Sequence, residues 1–320
     1  MSALSLPRQL TRYATTLVMA SVAIFVALRV IPGNPAEIAL GVTATPENVE
    51  KLEQQMGLDQ PLWRQYLEWV AGMLRGDFGT SIVSGTNIST MLLDRLQVSL
   101  ILVTIAMVLA LIMAVPLGTF AARRSERIEG MVVSVLSQIG IAIPSFLSAI
   151  LLISVFALRL GWVPPNGWTV PNDNFGDFLT HIILPCVSLA LVQGAILTRY
   201  IRTAVLDILH HDFMRTARAI GLSPAQALRR HGLRNAALPI ITIAGMQLTS
   251  LLIGAVVIEK VFAIPGLGSM LLSAVNNRDL PTVQTTVMML VVLTIIVNAI
   301  VDIAYRLIDP RTEANRSRHA

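Results

Sequence analysis

With 320 residues, 54% of them hydrophobic and 13% charged, and a mean hydropathy of +0.68, the chain is too apolar for water to be its main solvent. Its formal charge of +5 comes from arginines that flank apolar runs, the cytoplasmic bias of membrane loops, which argues against nucleic acid as a partner. The single cysteine, Cys186, permits neither a disulfide framework nor a cysteine-based zinc site, and its apolar neighbours make it a small core residue.

Residues 1–12 read as a short N-terminus ahead of a first span over 13–31. At about 1.5 Å per residue this run nearly crosses a hydrocarbon core of roughly 30 Å. It is longer than a signal-peptide core and lacks an Ala-x-Ala site, so it is expected to stay in the membrane. The segment 32–97 carries eight acidic residues against four basic ones and is expected to fold outside. Within it, Thr45 is placed to cap a helix that Gly57 stops, and 61–74 reads as an amphipathic helix. On that helix Trp63, Tyr66 and Trp69 read as packing or interface anchors rather than a ligand cage.

Five further runs of spanning length follow at 98–122, 131–158, 182–200, 238–258 and 283–305, giving an all-α polytopic membrane protein of about six transmembrane helices. Residues 98–308 then form a core of the second to sixth spans, and 309–320 a tail. The connections place sixteen of the 24 Lys and Arg residues on one side and eight on the other, which puts both termini in the cytoplasm. Prolines punctuate the spans at Pro116, Pro144 and Pro185. Around Gly140, Pro144 and Ser145 the backbone ladder is weakened, and freed backbone groups at that depth need protein or a watery cavity. A pathway-lining helix and a static kink packed on its neighbours both fit.

The connection 203–237 lies between the fourth and fifth spans. Asp212 can cap a short helix through Ile220, Gly221 suits the left-handed position after it, and Ser223-Pro224-Ala225-Gln226 combines an N-cap serine, a proline at N1 and a glutamine at N3. Two short basic helices therefore meet at a glycine turn. Such a helix-turn-helix resembles a DNA reader in outline, but spans lie within a turn or two of each end and hold it against the bilayer. A folded docking element fits these caps better than a plain solvated loop. Gly221 itself reads either as a hinge needing positive φ or as an ordinary helix-ending glycine.

Arg215-Thr216-Ala217-Arg218-Ala219-Ile220-Gly221, continued by Arg230-His231-Gly232-Leu233-Arg234-Asn235-Ala236, resembles the peptide-permease form of the EAA loop of binding-protein-dependent ABC importers. The broader family opens this loop with Glu-Ala-Ala. Arg215-Thr216-Ala217 departs from it as the dipeptide, oligopeptide and nickel permeases do, and removes a glutamate whose contact cannot be carried over. Further resemblance lies in Arg29 to Pro35, Gly57-Leu58-Asp59-Gln60-Pro61-Leu62, Gly76-Asp77-Phe78-Gly79, Ile143-Pro144-Ser145-Phe146, Val261-Phe262-Ala263-Ile264-Pro265-Gly266-Leu267-Gly268, Asn277-Arg278-Asp279-Leu280-Pro281 and Asp309-Pro310-Arg311.

The resemblance implies a type I importer permease fold in a bacterial inner membrane, paired with a second permease, two cytosolic ATPases and an extracytoplasmic binding protein. It also implies an ATPase-coupling surface at Arg215, Thr216, Ala217, Arg218, Ala219, Gly221, Ser223, Arg230, His231, Arg234 and Asn235. Peptides are the implied cargo, with nickel, glutathione or another small solute as alternatives.

The chain has only Lys51 and Lys260, each after a glutamate, so it can form no Gly-x-x-x-x-Gly-Lys phosphate cradle. ATP and Mg²⁺ are therefore expected on partner ATPases, and no cofactor or catalytic residue on this chain. Neither His-Glu-x-x-His nor Gly-x-Ser-x-Gly occurs. An ion-coupled carrier, the rival class, usually needs ionisable groups deep in the membrane. Here Glu259, Lys260 and Asp302 fall near span ends, where snorkelling or local pairing is the ordinary explanation.

Overall fold

The computed structural model describes residues 6–30, 34–41, 44–55 and 57–308. Ile31, Pro32, Gly33, Met56 and the tail with Asp309-Pro310-Arg311 lie outside the described residues, as do the side chains of Arg218, Arg229, His231 and Arg234. The described chain is helical: α1 (Leu6–Val30), α2 (Pro35–Leu40), α3 (Pro46–Gln55), α4 (Leu62–Arg75), α5 (Ile88–Arg123), α6 (Ile128–Ala142), α7 (Ser145–Leu152), α8 (Phe175–Leu209), α9 (Asp212–Ala219), α10 (Pro224–Ala227), α11 (Leu233–Val261), α12 (Leu267–Asn276) and α13 (Leu280–Ile308). Single π-helical stretches follow α7 and α10.

Five helices, α1, α5, α8, α11 and α13, are each long and apolar enough to cross a bilayer, and the bent pair of α6 with α7 and its π-helical extension makes a sixth if it is one span. Each expected apolar run falls on these helices within the described residues, and α5 begins ten residues before 98. Pro116 and Pro185 sit inside α5 and α8 without ending them. The run 131–158 is different, for it breaks at Pro144 and turns by 98°. Ile143, ahead of the proline, is extended at φ −83° and ψ 120°, and the Pro144 carbonyl accepts from the Leu147 and Ser148 amides to start α7. The ring and the missing amide thus end one helix and open another.

The chain divides into two compact units. One comprises Met1–Val98 with Pro265–Ile295, the other Ser99–Ile264 with Ile296–Ala320. In the first, Ile88, Leu92, Leu267 and Met270 form a buried cluster joined by Phe78, Met289 and Leu290. Another joins Leu28, Ala274 and Val283. Thr45 caps α3 as expected, accepting the Asn48 amide on its hydroxyl at 3.3 Å. Tyr66 and Trp69 of α4 pack on Phe25 with ring centroids 5.4 and 6.2 Å away, whereas Trp63 is 66% exposed. Buried Asp279 accepts from the Ser81 hydroxyl at 2.5 Å, the Thr282 hydroxyl at 2.7 Å and the Ile82 amide at 3.2 Å.

In the second unit α8 packs against α6, α7 and α11. Small residues bring the backbones close: a Cβ on Gly118 would stand 2.8 Å from Ile201 and from the Thr198 carbonyl, and one on Gly140 2.8 Å from the Ala195 Cβ. The Ser148 hydroxyl donates to the carbonyls of Ser145 and Ser188, tying α7 to α8. Cys186 is buried and free, as its surroundings suggested.

Candidate functional site

After α8 the chain turns through His210 and His211, whose amides donate to the Asp207 and Ile208 carbonyls. His211 supplies the carbonyl that opens α9, at 3.0 Å from the Met214 amide, so Asp212 is the first helical residue and not the cap. Its charge still sits in the first turn, where the helix dipole favours it. An exposed ion pair of 3.7 Å joins Asp212 to Arg215, a geometry of little energetic weight.

Gly221 then has φ +94°, and the Leu222 amide reaches back to the Ala217 carbonyl at 3.2 Å, the closing bond of a Schellman turn. Ser223 and Gln226 make the expected reciprocal box: the Gln226 amide donates to the Ser223 hydroxyl at 3.3 Å and the Ser223 amide to Gln226 Oε1 at 3.0 Å.

The two short helices rest on an apolar underside. Met214, Ala217, Ala227, Leu228 and Ala236 are each at most 5% exposed. Buried Gly232 lies where a Cβ would meet Leu228 at 2.6 Å and Ile208 of α8 at 3.4 Å, so the element is held against the end of α8. Arg215, Thr216, Ala219, Gly221, Ser223, Arg230 and Asn235 are exposed, and Ala217 is buried. The backbones of Arg218, His231 and Arg234 belong to the same element. Beside it, a groove of about 570 Å³ is lined by Tyr200, Asp207, His211, Phe213, Asn235 and Pro239 among others. Of the buried underside only Ala217 was among the expected residues, although the spacing from Met214 to Ala217 and from Leu228 to Gly232 is a helical apolar signal.

The second group of expected residues, Gly140, Pro144 and Ser145, lies at the break between α6 and α7. Gly140 borders a largely apolar cavity of about 280 Å³ with Met113, Ser137 and Thr198 and touches α8; Pro144 is exposed and Ser145 half-buried. Glu259 is 1% exposed and accepts from the buried Ser99 hydroxyl at 2.5 Å, so local pairing and not snorkelling holds this acid.

Two family models match: the N-terminal membrane component of binding-protein-dependent transport systems over residues 4–103, and the inner membrane component of those systems over 114–314. A probable peptide ABC transporter permease of Sinorhizobium fredii is 36% identical over 304 residues, 95% of this chain and 97% of that one. An oligopeptide transport system permease of Bacillus subtilis is 39% identical over 292 residues, 90% of this chain and 92% of that one. A glutathione transport system permease of Escherichia coli is 37% identical over 295 residues, covering 92% and 94% of the two chains. Among solved structures, the MetNI methionine ABC transporter in an inward-facing conformation aligns with a TM-score of 0.58 at 18% identity, over 68% of this chain and 96% of that one, which is likeness of fold. This chain belongs to the inner membrane components of binding-protein-dependent ABC importers: it is a multi-pass permease subunit with the type I importer fold, and not an enzyme.

Proposed function

We propose that the chain forms, with a second permease, the membrane pathway of an ATP-driven peptide importer. The observation that supports this most is the folded pair of helices over 212–232, closed by a Schellman turn, opened again by a capping box and seated on the end of α8. A solvated loop needs none of these bonds; a rigid lever that carries the motion of a nucleotide-driven ATPase pair into α8 and α11 does. In this reading 203–237 is cytoplasmic, as are both termini. The exposed Arg215, Thr216, Ala219, Gly221, Ser223, Arg230 and Asn235 meet an ATPase, joined by Arg218, His231 and Arg234, with Ala217 supporting them from below. Two ATPases carry ATP and Mg²⁺, and a binding protein delivers cargo to the outer segment 32–97. The core 98–308 lines the route.

Peptide as cargo draws on relatives whose names specify peptide, oligopeptide and glutathione transport. The test is an affinity pull-down from native membranes, with mass spectrometry of the partners and an ATPase assay on the eluate. Two Walker-type ATPases and a second permease are expected, with activity raised by a binding protein loaded with dipeptide. Activity raised by a glutathione-loaded protein alone assigns that cargo. A chain that emerges alone, as a homo-oligomer without ATPase activity, overturns the importer reading.

A further inference from the structure

At the end of α1, Arg29 faces a cavity of about 270 Å³ that it lines with Phe25, Gln65, Glu68, Trp69 and Asp77 among others, all within one unit of the chain. Its guanidinium lies over the Phe25 ring, 4.8 Å from the centroid, and donates one hydrogen bond to Gln65 Oε1 at 2.8 Å. Gln65 is itself fixed, since its amide nitrogen donates to the carbonyls of Leu58 and Gln60 at 3.1 and 2.8 Å. Among the described residues no carboxylate comes within ion-pair distance of Arg29, and both Arg29 Nε and the Trp69 indole nitrogen are without an acceptor. A half-buried guanidinium with one neutral acceptor and an aromatic face is a cation held without its counter-ion, a costly arrangement unless a ligand supplies the charge. Arginine's planar fork suits a carboxylate.

The rest of the cavity narrows the ligand. Its lining includes Asp77, and Glu68, whose Oε1 accepts from Arg64 Nε at 3.1 Å in an exposed pair; this acidic lining disfavours phosphate or any multiply charged anion and leaves Asp77 as the acid for an ammonium group. Phe25, Trp69 and Phe78 add apolar lining. We infer that this cavity is a subsite for a short zwitterionic peptide, with its terminal carboxylate on Arg29. The inference rests on the peptide reading above and names a recognition step on the permease itself, on the outer side in that topology.

The purified transporter, free of binding protein, is titrated with Ala-Ala and with its C-terminal amide while tryptophan fluorescence is followed. Subtracting the Trp69→Phe variant isolates the reporter in the cavity wall. Ala-Ala is expected to give a saturable change, and the amide to bind about tenfold more weakly, the scale of one charge-assisted hydrogen bond. Arg29→Gln should weaken Ala-Ala by about the same factor and abolish the preference over the amide. Equal binding of acid and amide by the parent protein, or no binding of Ala-Ala, overturns the inference, and that comparison stands even if the variant does not fold. Failure of the pull-down to recover ATPases sinks the importer reading instead, so the two are told apart.

Discussion

Gly221, Ala263 and Arg278 occupy the same place at the ends of α9, α11 and α12, with φ of +94°, +52° and +55°. At each, the next residue's amide returns to a carbonyl in the last helical turn: Leu222 to Ala217, Ile264 to Glu259 and Asp279 to Ala274. The turn is common to all three, and the side chain differs. An L-residue pays roughly 1–2 kcal/mol for the left-handed region, partly offset because glycine is the more flexible residue when unfolded. Nothing lies within 4 Å of where a Gly221 Cβ would point, so φ alone decides there. Gly221→Ala is therefore expected to cost about 1 kcal/mol and Gly221→Asn less, while Ala263→Gly should gain up to about 1 kcal/mol. Thermal unfolding in detergent reads all three. Loss of ATPase coupling in Gly221→Ala with normal assembly would assign Gly221 a hinge role, and unchanged coupling would leave it a helix-ending glycine.

Helix α8 is the element on which the second unit is assembled, and its small residues set how closely the neighbours come. The spans were legible because twenty or so apolar residues admit few other conformations in lipid, and the caps at Thr45, Ser223 and Gln226 because they are local bonds written within four positions. The break at Pro144 was legible only as a weakness: three prolines look alike in the sequence, and only this one follows a residue held extended. Short α12 was missed, and so was the burial of Glu259, whose partner Ser99 lies 160 positions away. Gly140 shows the same limit. As a weak point in a ladder it fitted a pathway wall or a static kink alike, and its close approach to Ala195, a packing of α6 against α8, was not legible. Gly140→Ala is expected to destabilise by about 1–2 kcal/mol through overpacking, and Ala195→Gly by about 1 kcal/mol through helix propensity. The double variant should return close to the parent stability, because the methyl group has only changed helices. Additive losses would show that the two positions do not touch.

At the scale of the whole molecule, the first unit is built from two segments far apart in sequence, Met1–Val98 and Pro265–Ile295, with most of the second unit's sequence between them. Its apolar clusters join α5 to α12 and α1 to α13, and a polar junction ties residues 81–82 to the start of α13. That junction is Asp279, 4% exposed, which gathers two hydroxyls and an amide, one hydroxyl coming from Ser81, 198 positions earlier. A buried carboxylate with three donors is worth keeping only as a set, since removing the acceptor strands the donors. Asp279→Ala is therefore expected to cost about 3 kcal/mol, with Asp279→Asn losing less because one oxygen remains as acceptor. The loss should fall on the first unit. Under limited proteolysis the variant's segment around 77–87 should be cut well before any site between α6 and α11, while the parent protein resists there. Cleavage in both units at one rate would mean that they unfold as a single cooperative body, and the junction would then stabilise the permease as a whole.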